Sequence, residues 1–259
     1  MQTQLQVVIL ISLVIFGSAN WKYTPPPEPA PEIVVGVDGS REKLEQRQEA
    51  LVRESLAYAL YKVARIPEDR ARVIVGLVLQ ETQQHTDLDP LLVLGLIVAE
   101  SLANPQAKSR VGARGLMQIM PATGRFIAHH LNEEWAGTQS LYEMERNVRY
   151  GVWYLNHLQE LFPEDEQAMI AAYNWGPDHI QYRQIQERKL PTVYPGKVWE
   201  AQQRLQEEMY AFHKTHFWRS LDPDQDPPRF RDDSSKPKAG SRPRELLVDD
   251  AEGQLLRQR

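Results

Sequence analysis

Apolar residues recur at helical spacing along most of the chain between residues 40 and 217. The first such stretch begins near Ser40, and its apolar stripe consists of Leu44, Leu51, Val52, Leu56, Leu60 and Val63. A second stretch begins at Pro67, because proline is favoured in the first turn of a helix, and it extends to about Gln84. No run of alternating apolar and polar residues, typical of a half-buried strand, occurs in this region. The pattern therefore predicts a mainly α-helical protein.

The next predicted helix differs from the others because it is apolar nearly all round. It begins at Asp89-Pro90, a capping residue followed by a proline suited to the first helical position, and continues to about Leu102. Such a helix is expected at the centre of a domain. Its one acidic residue is Glu100, near the C-terminal end. The negative end of the helix dipole and apolar neighbours are both expected to raise the pKa of this carboxyl group.

The pattern also predicts the elements that follow this apolar helix. They are a polar loop at 105–114, an apolar segment from Gly115 that continues as a helix through Ile127, a loop at 132–141, a helix from Asn147 to Leu161, a helix from Pro163 to Asn174, a weaker helix at 178–189, a loop at 191–196, and a polar helix from Lys197 to about Phe217.

The two ends of the chain have a different composition from this helical part. Residues 7–16 form a short apolar run before Gly17-Ser18-Ala19, which predicts a signal peptide or anchor at residues 1–19 and export to the periplasm or cell envelope. Residues 20–39 contain a proline-rich linker. Residues 221–259 are rich in charge and proline, which predicts a disordered tail. Between them we expect a helical N-terminal extension at 40–84 and the main domain at 85–220.

Composition excludes several kinds of chemistry. The 259 residues include no cysteine, so disulfides, thiolate metal sites and cysteine nucleophiles are absent. A net charge of -5 argues against a nucleic-acid partner, which would need a basic surface. His213 and His216 lie three apart without an evident third ligand, so no metal site is predicted. No phosphate loop or dinucleotide fingerprint occurs, and no cofactor is expected.

Glu100 could act as a general acid, because a carboxyl group in an apolar pocket can protonate a glycosidic oxygen near neutral pH. A single glutamate at a helix end is more often solvated or paired with arginine, so this residue alone decides nothing. Three motifs in order change the interpretation: Glu100-Ser101, GLMQIMP at residues 115–121, and AYN at residues 172–174, followed by Gly176-Pro177. With the Asn147-Val148-x-x-Gly151 segment, they resemble the soluble-lytic-transglycosylase-like (SLT) family, relatives of goose-type lysozymes, over roughly residues 85–200.

The resemblance implies a lysozyme-like helical domain with flanking helices. It also implies a lytic transglycosylase that cleaves the β-1,4 bond between N-acetylmuramic acid and N-acetylglucosamine of peptidoglycan and forms 1,6-anhydromuramic ends. Glu100 would be the single acid/base, and Tyr173 would hydrogen-bond and orient its carboxyl group. The residues expected to contact or support substrate are Ser109, Gln118, Met120, Tyr173 and Asn174. The implied partners are glycan strands, with possible inner-membrane anchoring through the N-terminal segment.

Each of these residues also has a purely structural interpretation. Ser109 could be a loop hydroxyl, Gln118 an exposed turn residue, Met120 a packing residue, Tyr173 a buried ring bonded to backbone, and Asn174 a helix C-cap. Glu133 and Glu134 are expected to be solvated. A hydrolytic muramidase and a non-catalytic peptidoglycan-binding envelope protein remain alternative functions.

The chain departs from the family pattern at Leu190 to Pro195. Family members carry a Glu-Thr pair and then a tyrosine near the end of the domain. Here Pro191 replaces the glutamate, and the spacing from Thr192 to Tyr194 is shorter. The sequence alone therefore does not determine the geometry of this wall of the site.

Overall fold

The computed structural model describes residues 40–84, 88–220 and 229. The predicted signal segment, the proline-rich linker and nearly all of the predicted tail lie outside these residues. The described residues 40–46 belong to one unit of the chain, and the described residues from Arg47 onward belong to a second unit. Within the first unit, the described part is the beginning of one helix.

Eight α-helices and one 3-10 helix make up the described part of the chain. They are α1 (Ser40–Ala64), α2 (Glu68–Thr82), α3 (Pro90–Ser101), α4 (Pro121–His130), the 3-10 helix (Thr138–Tyr142), α5 (Met144–Leu161), α6 (Glu166–Trp175), α7 (Pro177–Ile185) and α8 (Val193–Ser220). Extended structure within the described residues is limited to isolated bridges that pair Arg114 with Lys108 and with Ile119. The predicted mainly α class is confirmed.

Helix α3 lies at the centre of the second unit. Its residues from Leu91 to Val98 are all buried. It packs most extensively against α8, where Gly95 allows a close approach. A Cβ atom on Gly95 would lie 3.1 Å from the carbonyl oxygen of Val198 and 3.1 Å from the backbone nitrogen of Gln202. Burial on every side explains why α3 carries apolar residues on all of its faces.

The start of α3 follows the predicted capping chemistry. The side chain of Asp89 accepts a hydrogen bond from the backbone N–H of Leu91 at 2.8 Å, and Pro90 occupies the first turn. The second oxygen of Asp89 accepts a hydrogen bond from Gln202 Nε2 at 3.1 Å, which joins the start of α3 to α8. Burial raises the pKa of the Asp89 carboxyl group, and the hydrogen bonds from Leu91 and Gln202 offset part of this rise.

Several predicted helix boundaries were wrong. Residues 115–118 form turns, and α4 begins only at Pro121, because Gln118 has a left-handed φ of 50° that a helix cannot continue through. Helix α6 begins at Glu166 instead of Pro163, because the side chain of Asp165 caps it by accepting from the N–H of Ala168. Helix α8 begins at Val193, four residues before the prediction.

The early start of α8 has a simple physical reason. Pro195 interrupts no helical hydrogen bond there, because N–H groups in the first turn have no partner within the helix. The backbone N–H of Gly196 donates to the carbonyl of Thr192 at 2.9 Å and closes this turn. Residues 193–196, predicted as loop, are therefore helical, and Tyr194 lies in the first turn of α8.

Among the described helices, none is long and apolar enough to span a membrane.

Candidate active site

Glu100 lies in the last turn of α3 and is half-buried. The helix ends immediately afterwards, because Leu102 and Ala103 adopt left-handed φ angles of 49° and 56°. The left-handed residues thus end the helix before the stop signal predicted at Asn104-Pro105. The carboxyl group is held at the end of a rigid, buried helix.

The hydroxyl of Tyr194 donates a hydrogen bond to Glu100 Oε1, with 2.6 Å between the oxygens. These residues are 94 positions apart, and they meet because the first turn of α8 lies beside the last turn of α3. A short bond of this kind to a carboxyl oxygen fixes the rotamer of the acid and directs its other oxygen. Sequence reasoning did not include Tyr194 among the site residues, although it placed the departure from the family pattern in the same stretch.

Tyr173 lies in α6 and is also half-buried. Its hydroxyl donates to the carbonyl oxygen of Met117 at 2.8 Å, in the GLMQIMP turn. The AYN and GLMQIMP motifs are therefore in direct contact. The expected role of Tyr173 in orienting Glu100 stays a prediction.

Ser101 joins α3 to the same turn. Its hydroxyl lies 2.7 Å from the carbonyl oxygen of Leu116 and 3.1 Å from that of Ile97, one helical turn earlier. The residue next to the candidate acid thus fixes the distance between the end of α3 and the GLMQIMP turn.

The GLMQIMP turn carries Gln118 in a left-handed conformation. Its Nε2 donates to the carbonyl oxygens of Gly115 at 2.9 Å and Ala107 at 3.2 Å. The side chain is half-buried and holds the turn against the preceding loop. This placement differs from that of a simple exposed turn residue. Contact between Gln118 and substrate remains a prediction.

Asn147 in α5 ties this turn to the rest of the domain. Its Oδ1 accepts from the backbone N–H of Met117 at 2.7 Å, and its Nδ2 donates to the carbonyls of Arg114 at 2.9 Å and Leu141 at 2.7 Å. The side chain is fully buried. Gly115 has a φ of 78°, and a Cβ atom there would overlap Asn147 and Leu141. The Asn147-Val148-x-x-Gly151 pattern was visible in the sequence, but its role as the anchor of the second motif was not.

The same helix makes room for Met117. A Cβ atom on Gly151 would overlap the sulfur of Met117, which is fully buried. Met117 is therefore a packing residue, and Gly151 is required by the close approach of this side chain.

The remaining candidate residues lie in the loop between the first two motifs, at the start of α4 and in α6. Ser109 Oγ accepts from the N–H of Ala113 at 3.0 Å and closes the loop between the first two motifs. Met120 is the N-cap of α4 and is half-buried. Asn174 lies within α6, whose C-cap is Gly176, so the C-cap interpretation of Asn174 was wrong. The roles of these three residues toward substrate stay predictions.

Glu133 is not simply solvated, in contrast to the expectation. It accepts from the hydroxyl of Tyr150 at 3.1 Å and forms an ion pair with Arg149 at 2.6 Å. Burial, and then the bond to Glu133, raise the pKa of the Tyr150 hydroxyl. Glu133 therefore contacts two side chains of α5 and links that helix to the loop after α4.

Within the residues that the structure describes, no group of three histidine, aspartate or glutamate side chains is arranged to hold a metal ion. His213 has a pKa lowered by burial and by the neighbouring His216.

Comparisons with known proteins agree with the motif assignment. Residues 78–192 match the family model described as the transglycosylase SLT domain. A putative soluble lytic murein transglycosylase of Haemophilus influenzae is 31% identical over 97 residues, covering 38% of this chain and 16% of that protein. A membrane-bound lytic murein transglycosylase C of the same species is 37% identical over 151 residues, covering 53% of this chain and 42% of that protein. The resemblance inferred from the motifs is confirmed.

Solved structures were also compared. The lytic transglycosylase Slt of Pseudomonas aeruginosa, solved as an inactive mutant, aligns with a TM-score of 0.42 and 25% identity. The alignment covers 57% of this chain and 25% of that one. The present chain thus spans less than half the length of these relatives.

Proposed function

We propose that the chain, whose residues 78–192 match the family model of the transglycosylase SLT domain, is a peptidoglycan lytic transglycosylase. It cleaves the β-1,4 bond between N-acetylmuramic acid and N-acetylglucosamine and leaves 1,6-anhydromuramic ends. The observation that carries the proposal is the hydrogen bond from Tyr194 to Glu100 at the end of the buried helix α3. The bond supports the proposal because it holds one acid in a fixed orientation beside the two other family motifs.

In the proposed reaction, Glu100 first acts as an acid. It donates its proton to the oxygen between the two sugars, and the bond from that oxygen to the anomeric carbon of N-acetylmuramic acid breaks. The positive charge that develops on this carbon is relieved by the N-acetyl group of the same sugar.

Glu100 then acts as a base. Its carboxylate accepts the proton of the C6 hydroxyl of N-acetylmuramic acid, and the hydroxyl oxygen attacks the anomeric carbon. This closes the 1,6-anhydro ring and returns the proton to Glu100. One carboxyl group suffices, whereas glycosidases with two carboxylates need a second at a defined distance. The pairing of Glu133 with Arg149 is consistent with a mechanism that uses Glu100 alone.

The other motif residues form the proposed substrate contacts. Ser109 and Gln118 bind the N-acetyl group or the peptide stem, and Met120 lines a sugar subsite. Tyr173 and Asn174 complete the wall on α6. Tyr194 orients Glu100 in both steps, because its hydroxyl can remain bonded to one oxygen while the other exchanges the proton.

The proposed substrate also gives a location. Peptidoglycan lies outside the cytoplasmic membrane, so we propose that the chain acts in the periplasm or cell envelope. The apolar segment at residues 7–16, which lies outside the described residues, would direct its export or anchor it.

The Glu100→Gln variant tests the assignment of the acid. Glutamine has nearly the same shape but cannot donate a proton, so release of soluble fragments from purified peptidoglycan should fall by about a hundredfold or more. Glu134→Gln, at an exposed glutamate, is the matched control and should retain the rate of the unmodified protein. Undiminished release by Glu100→Gln would remove Glu100 from the mechanism. A protein that binds peptidoglycan but releases no fragments would instead be a non-catalytic envelope protein.

A further inference from the structure

A continuous series of aromatic rings leads from the candidate active site to the surface of α4 and α5. We call it the aromatic ladder, and it consists of Tyr173, Tyr154, His157, Trp153, Phe126 and His130. It begins at Tyr173, whose hydroxyl is bonded to the GLMQIMP turn. The ladder is therefore continuous with the site.

The centroids of successive rings in the aromatic ladder lie between 4.1 and 6.4 Å apart. The centroids of Tyr173 and Tyr154 are 5.6 Å apart, and those of Tyr154 and His157 are 6.4 Å apart. His157 and Trp153 stack at 5.4 Å with an angle of 12° between their planes. Trp153 then lies 6.0 Å from Phe126.

The aromatic ladder is accessible and is not part of a closed core. Phe126 is 41% exposed. His130 is exposed, and Trp153, Tyr154 and His157 are half-buried. A ring series of this length, open to solvent and ending beside a site, indicates a binding surface.

Its chemistry fits a carbohydrate. A pyranose ring has an apolar face of C–H groups and an edge of hydroxyl groups. Indole, phenol and imidazole rings combine an apolar face with a polar edge, so they can stack on the sugar face and hydrogen-bond its hydroxyls. The histidines do not suggest a metal, because no metal-binding cluster is found among the described residues. An aliphatic surface, as expected for a docking helix, would lack these polar edges.

We propose that the aromatic ladder binds sugars of the same glycan strand beyond those cleaved at Glu100. This inference rests on the proposed function for the identity of the strand. It predicts that long strands bind more tightly than short ones, because each additional stacked ring adds apolar contact.

The test uses the full chain carrying Glu100→Gln and measures its affinity for peptide-free peptidoglycan glycans by calorimetry. One ligand is a single disaccharide and the other is a strand of several disaccharides. Phe126→Ser and, separately, His157→Ser are introduced into this background. Tyr210→Ser is the matched control, because Tyr210 is 56% exposed on α8 and lies outside the aromatic ladder.

We expect Phe126→Ser and His157→Ser to weaken binding of the long strand by about tenfold and to leave binding of the disaccharide unchanged. Tyr210→Ser should change neither. Equal affinities for both ligands, or equal losses in the ladder variants and the control, would overturn the inference.

Mass spectrometry of strands incubated with the unmodified chain reports cleavage separately. If affinity increases with strand length, and this increase depends on Phe126, but no strand is cleaved, the result would contradict the proposed reaction and support the aromatic ladder. Cleavage without a length effect would contradict the ladder alone.

Discussion

The bond between Tyr194 and Glu100 joins two residues whose helices are distant in sequence. A carboxyl group on a half-buried helix end can rotate unless a neighbour holds it, and the 2.6 Å bond provides that restraint. Hydrogen bonds to a charged group contribute about 1.5–3 kcal/mol. The restraint is therefore large enough to affect the rate of a proton transfer.

Tyr194→Phe tests this contribution. The ring remains, but the donor is lost, so kcat should fall by about tenfold to a hundredfold while KM changes little. Initial rates of fragment release from peptidoglycan measure both constants. Tyr210→Phe, at an exposed tyrosine on the same helix, serves as the control. A kcat equal to that of the unmodified protein would show that Tyr194 does not position the acid.

Asp89 gives a prediction about stability and pH. Burial raises the pKa of its carboxyl group in the folded state. The folded state then binds the proton more tightly than the unfolded state, so the contribution of Asp89 is greatest at low pH. That contribution is lost as pH rises from the ordinary pKa of aspartate through the raised folded value.

Asp89→Asn should reduce this dependence, because asparagine retains a capping oxygen for Leu91 and carries no charge. The melting temperature of the variant should fall less than that of the unmodified protein as pH increases through this interval. Asp178→Asn, at an exposed aspartate in the first turn of α7, is the control. Parallel curves for Asp89→Asn and the unmodified protein would refute the role assigned to burial.

At the scale of elements, the site depends on how α8 and α5 meet the central helix. Gly95 lets α8 approach α3 closely. This approach brings the Tyr194 hydroxyl within hydrogen-bonding distance of the Glu100 carboxyl group. On the other side, Asn147 of α5 holds the GLMQIMP turn through three hydrogen bonds. The two helices therefore position the two walls of the site.

Gly95→Ala tests the contact between α3 and α8. The added Cβ would lie 3.1 Å from atoms of Val198 and Gln202, so α8 must shift, at a cost of about 1–3 kcal/mol in the free energy of unfolding. The shift should also lower kcat by moving Tyr194. Urea denaturation and fragment release measure the two effects.

Gly76→Ala is the matched control for this substitution. The nearest atom to an added Cβ there is Arg53 Nη1 at 3.7 Å, an ordinary contact. Replacing a helical glycine without a clash should raise stability by about 0.5–1 kcal/mol. Stability and kcat of Gly95→Ala at or above those of Gly76→Ala would show that close packing at Gly95 does not position α8.

At the scale of the whole molecule, the sequence was sufficient to predict the helices and the order of the motifs. Helical periodicity predicted the elements because an apolar face must be buried, and Asp89-Pro90 predicted the start of α3 by capping chemistry. The position of Glu100 at the end of this helix followed directly.

The contacts between distant residues could not be predicted in the same way. The start of α8 was placed too late because Pro195 was taken as a loop signal, although proline is compatible with a first turn. Tyr194 was missed as a result. The three bonds of Asn147 connect α5 to segments up to 33 residues away in the chain, and no local pattern encodes them.

In the proposed reaction Glu100 takes the proton of the sugar's own C6 hydroxyl, whose oxygen closes the ring, so no water enters the product. The most direct measurement is the mass of the muropeptides released from purified peptidoglycan in water labelled with heavy oxygen. We expect anhydro products, one water lighter than hydrolysis products and without the label. Products with reducing ends that carry heavy oxygen would contradict it and establish a muramidase instead.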